Sequence, residues 1–201
     1  MNVHDFPSQA EARAVPYGIY DLTHNRGSLV LGDSADTPEF AVDAWVTGWE
    51  NEGKHHYPPS APWLILADGG GSNGHRCRSW KKYLQEKLCD RLGVSVTVSH
   101  YPRGCSKWNP IEHRLFGPLS LNWAGEPLTS FEKMASLIQG TTPLTGLTVQ
   151  AVQKRGTYKK GQKVSDKEMK ALLLERHAVC PNWNYTLRPR SSAPSSPELI
   201  S

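Results

Sequence analysis

The 201-residue sequence has no long hydrophobic run and no closely paired cysteines, and each absence excludes a class of protein. No apolar stretch reaches the roughly 18 to 20 residues needed to span a bilayer, and the N-terminus lacks the basic and apolar parts of a signal peptide. The four cysteines are scattered without a C-x-x-C pair, which indicates neither a zinc knuckle nor a disulfide framework. We therefore expect no membrane association and a reducing, cytoplasmic compartment.

The chain has only a slight excess of positive charge. The chain has 23 Lys and Arg against 19 Asp and Glu, with a formal charge of +4. This balance favours a polyanionic partner weakly, because many soluble proteins match it. The 38% hydrophobic content suffices for a core, so we expect one folded domain over residues 1–190. Residues 191–201 form a Pro/Ser-rich tail that is too polar to fold by itself.

Local signals predict a hairpin followed by a helix. Two β-rich runs, 17–21 and 28–32, flank a turn that contains Asn and Gly, the pattern of an antiparallel hairpin. Asp36 or Thr37 can then cap a helix that has Pro38 at its first position.

Strands and helices alternate in the rest of the chain. The continuous apolar run 63–67 is typical of a strand that is covered on both faces near the centre of a sheet. A glycine turn, an amphipathic helix up to Leu92 and a strand over 94–100 follow it, and Asn109 with Pro110 begins another helix. Further helices are predicted over 131–139 and 165–176. This order predicts an α/β fold, a ribonuclease-H-like mixed sheet flanked by helices that lacks its first strand.

Two carboxylates are the strongest chemical signal. Asp68 ends the apolar strand, and Glu112 lies in the first turn of a later helix, so both are expected at one edge of the sheet. Carboxylates in that arrangement can share divalent ions that cleave and join phosphodiesters. The alternatives are structural: Asp68 can bond the amides of its glycine turn, and Glu112 stands where a capping-box glutamate follows Asn109.

Polar and basic residues surround the two carboxylates. We predict that six of them contact DNA phosphates, although a solvated helix face explains them too: Arg76, Arg78, Lys81, Arg103, Lys107 and Arg114. Four more are candidates for auxiliary roles: Asn73, His100, Asn109 and His113. Cys105 lies between the two histidines in sequence, but nothing else in its loop specifies thiol chemistry.

Five short motifs occur together in this order: 68–74, 106–116, 122–123, 146–147 and 183–186. The set resembles the DDE domain of bacterial insertion-sequence transposases of the Rhodopirellula type, over about residues 3–189. The resemblance implies that Asp68 is the second aspartate and Glu112 the glutamate of a DDE triad that uses Mg²⁺ or Mn²⁺. It also implies nicking at transposon ends and strand transfer into target DNA, with DNA as the partner and with a homo-oligomer allowed.

The resemblance implies a first aspartate on an opening strand, and we expect that this chain begins after such a strand. Among the remaining acidic residues, Asp21 is the best substitute, ahead of Asp5 and Asp33. The expectation is therefore a transposase fragment that is inactive by itself. A DNA-binding module without catalysis and an inert remnant remain the alternatives.

Overall fold

A computed structural model describes residues 14–102, 104–141 and 146–190 of the chain. These residues form two mixed β-sheets flanked by helices, so the predicted α/β class is confirmed. The strands are β1 (Val15–Asp21), β2 (Arg26–Gly32), β3 (Trp63–Ala67), β4 (Val96–His100), β5 (Thr148–Lys154), β6 (Leu174–Arg176) and β7 (Asn184–Leu187). The α-helices are α1 (Pro38–Asn51), α2 (Arg78–Tyr83), α3 (Asp90–Leu92), α4 (Gly117–Trp123), α5 (Phe131–Gln139) and α6 (Asp166–Lys170).

Two π-helical segments and three short 3₁₀ turns complete the architecture. The π-helical segment Leu84–Cys89 joins α2 to α3, and a second one, Glu112–Phe116, leads directly into α4. The 3₁₀ turns are Gly53–His55, Gly71–Asn73 and Ser106–Trp108. No helix in the described part of the chain is long and apolar enough to cross a membrane.

The first sheet has the order β1-β2-β5. β1 and β2 form the predicted antiparallel hairpin, in which Tyr17 lies opposite Val30, and Asn25 adopts a positive φ of 52° in the turn. β5 pairs in parallel with β2, and Val30 faces Val152. The sequence did not indicate β5 as a strand.

The second sheet has the order β3-β4-β7-β6, with β3 and β4 parallel. The prediction that the apolar run 63–67 lies near the sheet centre with both faces covered was wrong. β3 is an edge strand among the described residues, and its faces differ because Ile65 is buried whereas Leu64 is 64% exposed. An apolar edge strand is unusual, since natural sheet edges normally carry charges, prolines or bulges.

Helix α1 begins as predicted. Thr37 is the N-cap, and its side-chain oxygen accepts a hydrogen bond from the backbone N–H of Phe40 at 3.1 Å, with Pro38 in the first turn. Thr37 is itself buried, so the cap lies inside the fold. A Ser or Thr cap of this kind contributes about 1 kcal/mol to helix stability.

The same helix packs against both sheets. Phe40 and Ala44 of α1 belong to one apolar cluster with Val30 of β2. Val42 of α1 lies in the larger cluster that contains Ile65 of β3. One helix thus contributes side chains to the apolar clusters of both sheets.

The predicted helix over 165–176 was wrong in its second half. Ser165 and Glu168 form a capping box, but α6 ends at Lys170. The chain then enters β6, where Leu174 pairs with Leu187 of β7. Antiparallel pairing with the next strand, β7, overrides the helical periodicity there. The predicted helix 131–139 is confirmed, with Ser130 as its cap.

A buried polar chain ties the second sheet to the end of β3. The indole N–H of Trp80 donates to the hydroxyl of Tyr185 at 3.0 Å, and that hydroxyl lies 3.1 Å from Nε2 of His100. Nδ1 of His100 lies 3.1 Å from the backbone carbonyl of Asp68. A carbonyl can only accept, so Nδ1 carries the proton and Nε2 accepts from Tyr185. Burial lowers the pKa of His100, which keeps this neutral tautomer at neutral pH.

We predict that Tyr185→Phe lowers the free energy of unfolding by about 1–3 kcal/mol, because it leaves the Trp80 and His100 nitrogens buried without a partner. Chemical denaturation measures the loss. The matched control is Tyr20→Phe, whose half-buried hydroxyl donates to Asn25. A loss at Tyr185 no greater than at Tyr20 would mean that the chain of hydrogen bonds does not stabilise the fold.

Candidate functional site: an acidic cleft between the two sheets

Asp68 follows β3 directly, at the edge where the parallel strands β3 and β4 both end. Tyr101 N–H donates to the carbonyl of Ala67 at 2.7 Å, so the ends of the two strands are aligned. The chain then turns through glycines, of which Gly71 has a positive φ of 67° that other residues rarely adopt. Asp68 therefore stands at the carboxyl edge of the sheet, as predicted.

Glu112 reaches the same region from the other side of the molecule. It begins the π-helical segment that packs on β1, where Gly18 permits a close approach: a Cβ at Gly18 would lie 2.5 Å from the ring of Phe116. That segment begins without a side-chain capping hydrogen bond, and Glu112 is exposed. In a capping box the Glu112 side chain would accept from the backbone N–H of Asn109, but that N–H donates to the carbonyl of Ser106 at 3.0 Å, so the capping-box alternative has no support in the described residues.

A cleft of about 490 Å³ lies between β1 and β3, and both predicted carboxylates line it. Asp68, Glu112 and Asn109 also line an adjoining lobe of about 280 Å³. We call the larger space, with the residues of β1 on one wall and those of β3 on the other, the strand cleft. The structure thus brings Asp68 and Glu112 to one site although their elements are far apart in the chain.

The surroundings of Asp68 have opposing effects on the pKa of its carboxyl group. The cleft walls exclude enough water to raise the pKa of Asp68 above its usual value, and the nearby charge of Asp36 acts in the same direction. Hydrogen bonds from the Gly70 backbone and the Asn73 side chain act against this rise. In the amide orientation that satisfies both atoms of Asn73, its nitrogen donates to Oδ1 of Asp68 at 2.8 Å. Asn73 thus orients the carboxylate.

The other auxiliary candidates divide into two groups. Asn109 is buried and lines the cleft beside the two carboxylates. His100 is buried under the site, where it bonds the backbone of Asp68 rather than facing the cleft. His113 is exposed, and its Nε2 lies 2.9 Å from the carbonyl of Lys107. Neither histidine has a hydrogen bond to the Cys105 thiol in the described part of the chain.

The sequence missed Asp36, a third carboxylate that lines the strand cleft. Its position next to a helix cap gave it a structural explanation, and only the folded chain places it near Asp68. Asp21 is not part of the cleft lining, since its oxygens accept from Tyr57 at 2.8 Å and contact His24 at 2.9 Å. Asp33 accepts from the backbone of Gly156, and Asp5 lies outside the described residues.

The basic residues are placed unequally. Arg76, Lys107 and Arg114 are exposed, and Arg78 is exposed while it pairs with Asp166 at 2.6 Å. Lys81 is the exception: it is 5% exposed, its ammonium donates to the carbonyl of His75 at 2.6 Å, and burial lowers its pKa. Lys81 therefore serves the core and has no access to DNA phosphates in this conformation. Arg103 lies outside the described residues.

The donor set of the cleft suits a hard divalent cation. Mg²⁺ prefers carboxylate oxygens and is commonly held by one or two of them, with waters and substrate phosphates completing its octahedron. Asp68 and Glu112 would supply those oxygens. Over residues 14–102, 104–141 and 146–190, no group of three or more His, Cys, Asp or Glu side chains is placed to hold a metal ion, so Asp36 does not complete a three-carboxylate set.

Fold and site together define a mixed α/β domain with an acidic cleft at the carboxyl edge of its strands. The family model described as the Rhodopirellula transposase DDE domain matches residues 1–189, and the chain belongs to this family. Neither the curated proteins nor the solved structures contain a match to the chain. The predicted resemblance is thus confirmed at the level of the family.

We predict that the stability of the Asp68→Asn variant increases relative to that of the wild type as pH rises from 3 to 7. The folded-state pKa of Asp68 lies above its unfolded value of 3.8, so ionisation costs the wild type stability as pH rises through this window. The variant lacks that cost. The difference in Tm between variant and wild type should increase by at most about 3 °C, measured by thermal unfolding at each pH.

The control is Asp166→Asn, because Asp166 is largely exposed and ion-paired at the surface. If the Tm difference for Asp68→Asn stays constant with pH, or falls, the carboxylate is not desolvated by the cleft.

Proposed function

We propose that this chain forms the carboxylate and DNA-binding parts of a transposase catalytic centre that cleaves DNA and transfers strands at insertion-sequence ends. Membership of the transposase family supports the reaction class. The observation that carries the proposal is that Asp68 and Glu112, from separate elements, line one cleft. Divalent ions held there would activate water or a 3′-hydroxyl and stabilise the charge that develops on the phosphate.

Each side chain has a distinct part in this proposal. Asp68 and Glu112 provide oxygens for the cation and hold it at the mouth of the cleft. Asn73 fixes the orientation of the Asp68 carboxylate through its 2.8 Å contact. His100 contacts the backbone carbonyl of Asp68, so both the backbone and the side chain of Asp68 are held in place. Such support matters because a metal site tolerates little displacement of its ligands.

Two carboxylates alone are few for a centre that cuts DNA. Two cations about 4 Å apart need several anionic ligands to offset their mutual repulsion. We propose that a third carboxylate comes from outside the described residues, and that the described residues alone bind metal weakly and do not turn over DNA. The charge of Asp36 raises the pKa of Asp68, yet Asp36 belongs to no metal-ligand group of three or more among the described residues.

DNA would approach from the exposed side of the Glu112 segment. Lys107 and Arg114 are exposed on either side of Glu112 in the sequence, and the ammonium of Lys107 lies 5.7 Å from the centre of the exposed Trp108 ring. A cation beside an exposed aromatic ring suits a phosphate next to a base. Arg76 and Arg78 extend the basic surface along the start of α2.

We predict that the purified chain binds Mn²⁺ at one site with a Kd on the order of 1 mM, a weak affinity for a carboxylate site. Electron paramagnetic resonance titration measures free Mn²⁺. Asp68→Ala and Glu112→Ala should each abolish the site, and Glu50→Ala, which removes an exposed carboxylate paired with Arg91, should leave it unchanged.

Binding that survives both site substitutions would contradict the proposed cation site. Nicking of supercoiled DNA by the purified chain with Mg²⁺ or Mn²⁺ would mean that this chain itself supplies every carboxylate that the centre needs, and would leave the cation site in place.

We predict that the double substitution of Lys107 and Arg114 by Ala weakens binding to duplex DNA and makes the slope of log K against log salt about 2 units shallower. The reason is that each phosphate no longer neutralised by the protein keeps about one counterion on the DNA. Fluorescence anisotropy over a salt series measures both quantities. The control replaces Lys133 of α5 and Lys170 of α6, which belong to elements other than the Glu112 segment, by Ala.

Asp68→Ala should leave this DNA affinity intact or raise it, because it removes a negative charge. An unchanged slope in the Lys107 and Arg114 variant, or an equal change in the control, would contradict the proposed DNA surface.

A further inference from the structure

The lining of the strand cleft repels a polyanion. The carboxylates of Asp36, Asp68 and Glu112 line it, and no Lys, Arg or His is among its described lining residues. A divalent ion would neutralise part of this charge, but the other phosphates of a bound duplex need cations outside the cleft. Lys107 and Arg114 flank Glu112 in the sequence and are exposed. A separate set of basic residues lies on the side of the cleft that carries Asp36.

This set belongs to residues 154–163, which follow β5 and which we call the basic loop. Five of its ten residues are Lys or Arg and none is Asp or Glu, whereas the whole chain has a formal charge of only +4. The excess positive charge of the chain is therefore concentrated in this loop. Lys159, Lys160 and Lys163 are exposed, and none of them forms an ion pair with a carboxylate of the described residues.

The basic loop begins at the edge of the fold that carries the cleft. β5 is parallel to β2, and Lys154 lies opposite Gly32, so both strands end at the same edge. Asp36 follows shortly after the end of β2, lines the strand cleft and acts electrostatically on Asp68. The basic loop therefore starts on the Asp36 side of the cleft.

Contacts along the basic loop hold it across the first turns of α1 and α2. The hydroxyl of Tyr158 donates to Asp43 of α1 at 3.0 Å, and its ring lies 5.3 Å from that of Phe40. Farther along, the carbonyl of Gln162 accepts from the hydroxyl of Ser79 in α2 at 3.0 Å. A loop that is held in one path presents its lysines in fixed positions, which lowers the entropy cost of binding.

Two carboxylates that contact the basic loop are engaged by other groups. Asp33 accepts a hydrogen bond from the backbone N–H of Gly156 at 3.2 Å. Asp43 accepts from Tyr158 and forms an ion pair with Lys87 at 2.9 Å. The exposed lysines of the loop therefore keep a positive charge for a partner.

The side chains of the basic loop favour the phosphate backbone of a duplex as that partner. Tyr158 is the aromatic residue of the loop, and it faces Asp43 and Phe40 instead of offering its ring to a base. The next apolar side chain, Val164, is buried. Single-stranded DNA binds through exposed rings and protein partners bind through an apolar core, and residues 154–163 present neither. Lysines alone contact phosphates, and such contacts do not read the base sequence.

We propose that the basic loop binds the phosphate backbone of duplex DNA through Lys159, Lys160 and Lys163, as a second and sequence-independent surface beside the strand cleft. These lysines hold the duplex where it passes the Asp36 side, and the cation holds the phosphodiester at Asp68. The proposal rests on the proposed function, which brings DNA to this edge of the fold.

The first test replaces Lys159, Lys160 and Lys163 together by Ala in the full chain. Fluorescence anisotropy over a salt series measures binding to two duplexes of unrelated sequence. For both duplexes the affinity near about 0.1 M salt should fall about tenfold or more, and the slope of log K against log salt should become about 2 to 3 units shallower. Replacement of the same lysines by Arg should preserve the affinity and the slope, because it keeps the charge.

The matched control removes three exposed basic residues at the opposite edge by replacing Lys54, Arg91 and Arg188 with Ala. Lys54 lies beyond the C-terminal end of α1, Arg91 precedes β4, and Arg188 follows β7, which ends beside the start of β4. The control changes the net charge by the same amount, and its slope should stay at the wild-type value. An unchanged slope in the loop variant, or an equal change in the control, would overturn the proposal.

A second measurement locates the contact. Lysines are acetylated with and without duplex DNA, and mass spectrometry follows the rate at each residue. DNA should slow the modification of Lys159, Lys160 and Lys163 about fivefold or more, and it should leave that of Lys54 unchanged. Equal protection by a polyglutamate peptide of the same charge would overturn the proposal, because the loop would then bind an acidic polypeptide as well as DNA.

A comparison of variants separates this proposal from the proposed function. A loss of affinity in the loop variant, with none in the Lys107 and Arg114 variant, would support the basic loop and contradict the DNA surface beside Glu112. The reverse result would overturn the basic loop and leave the proposed function in place. Asp68→Ala should not change the effect of the loop substitutions, because the lysines contact phosphates outside the cation site.

Discussion

The packing of helix α1 across two sheets determines the geometry of the whole candidate site. Phe40 and Ala44 share an apolar cluster with the hairpin. Val42 shares another with Ile65 of β3, the strand that Asp68 follows. If α1 packed on one sheet only, nothing on that side would fix β1 relative to β3. The cleft between β1 and β3 follows from this constraint, and the packing of the Glu112 segment on β1 then brings Glu112 to the same cleft.

Asp68 illustrates how the fold gives up stability for a reactive position. Desolvation raises its pKa, so at neutral pH the folded chain carries a charge that burial disfavours. The hydrogen bonds from Asn73 and Gly70 to Asp68 offset part of that cost, and His100 holds the backbone carbonyl of the same residue. A carboxylate that is desolvated yet held in one orientation is suited to bind a cation, because the cation removes the cost of the charge.

The sequence predicted those parts of the fold that depend on interactions between residues a few positions apart. The hairpin and the caps at Thr37 and Ser130 depend on residues a few positions apart, and all three are present. β5 was missed because its strand state depends on pairing with β2, more than a hundred positions earlier. The run of β3 was misplaced because an apolar pattern indicates that burial is favourable, not that a neighbouring element provides it.

The sequence predicted some residues of the candidate site and missed others. Asp68 ends a strand and Glu112 begins a helix, with room for a helix, a strand and a loop between them, which is why both were expected at one edge of the sheet. No sequence rule distinguishes a surface lysine from one that folds under Tyr185, so the burial of Lys81 came only from the structure. Asp36 was overlooked for the converse reason, since its nearness to Asp68 is a tertiary contact.

A cation shared by Asp68 and Glu112 is tested most directly by a crystal structure of the chain soaked in Mn²⁺, with anomalous diffraction recorded at the manganese edge. We expect one anomalous peak in the cleft, with an oxygen of Asp68 and an oxygen of Glu112 both within about 2.5 Å of it. A peak bound to only one of them, or carboxylate oxygens more than about 10 Å apart, would contradict a shared cation.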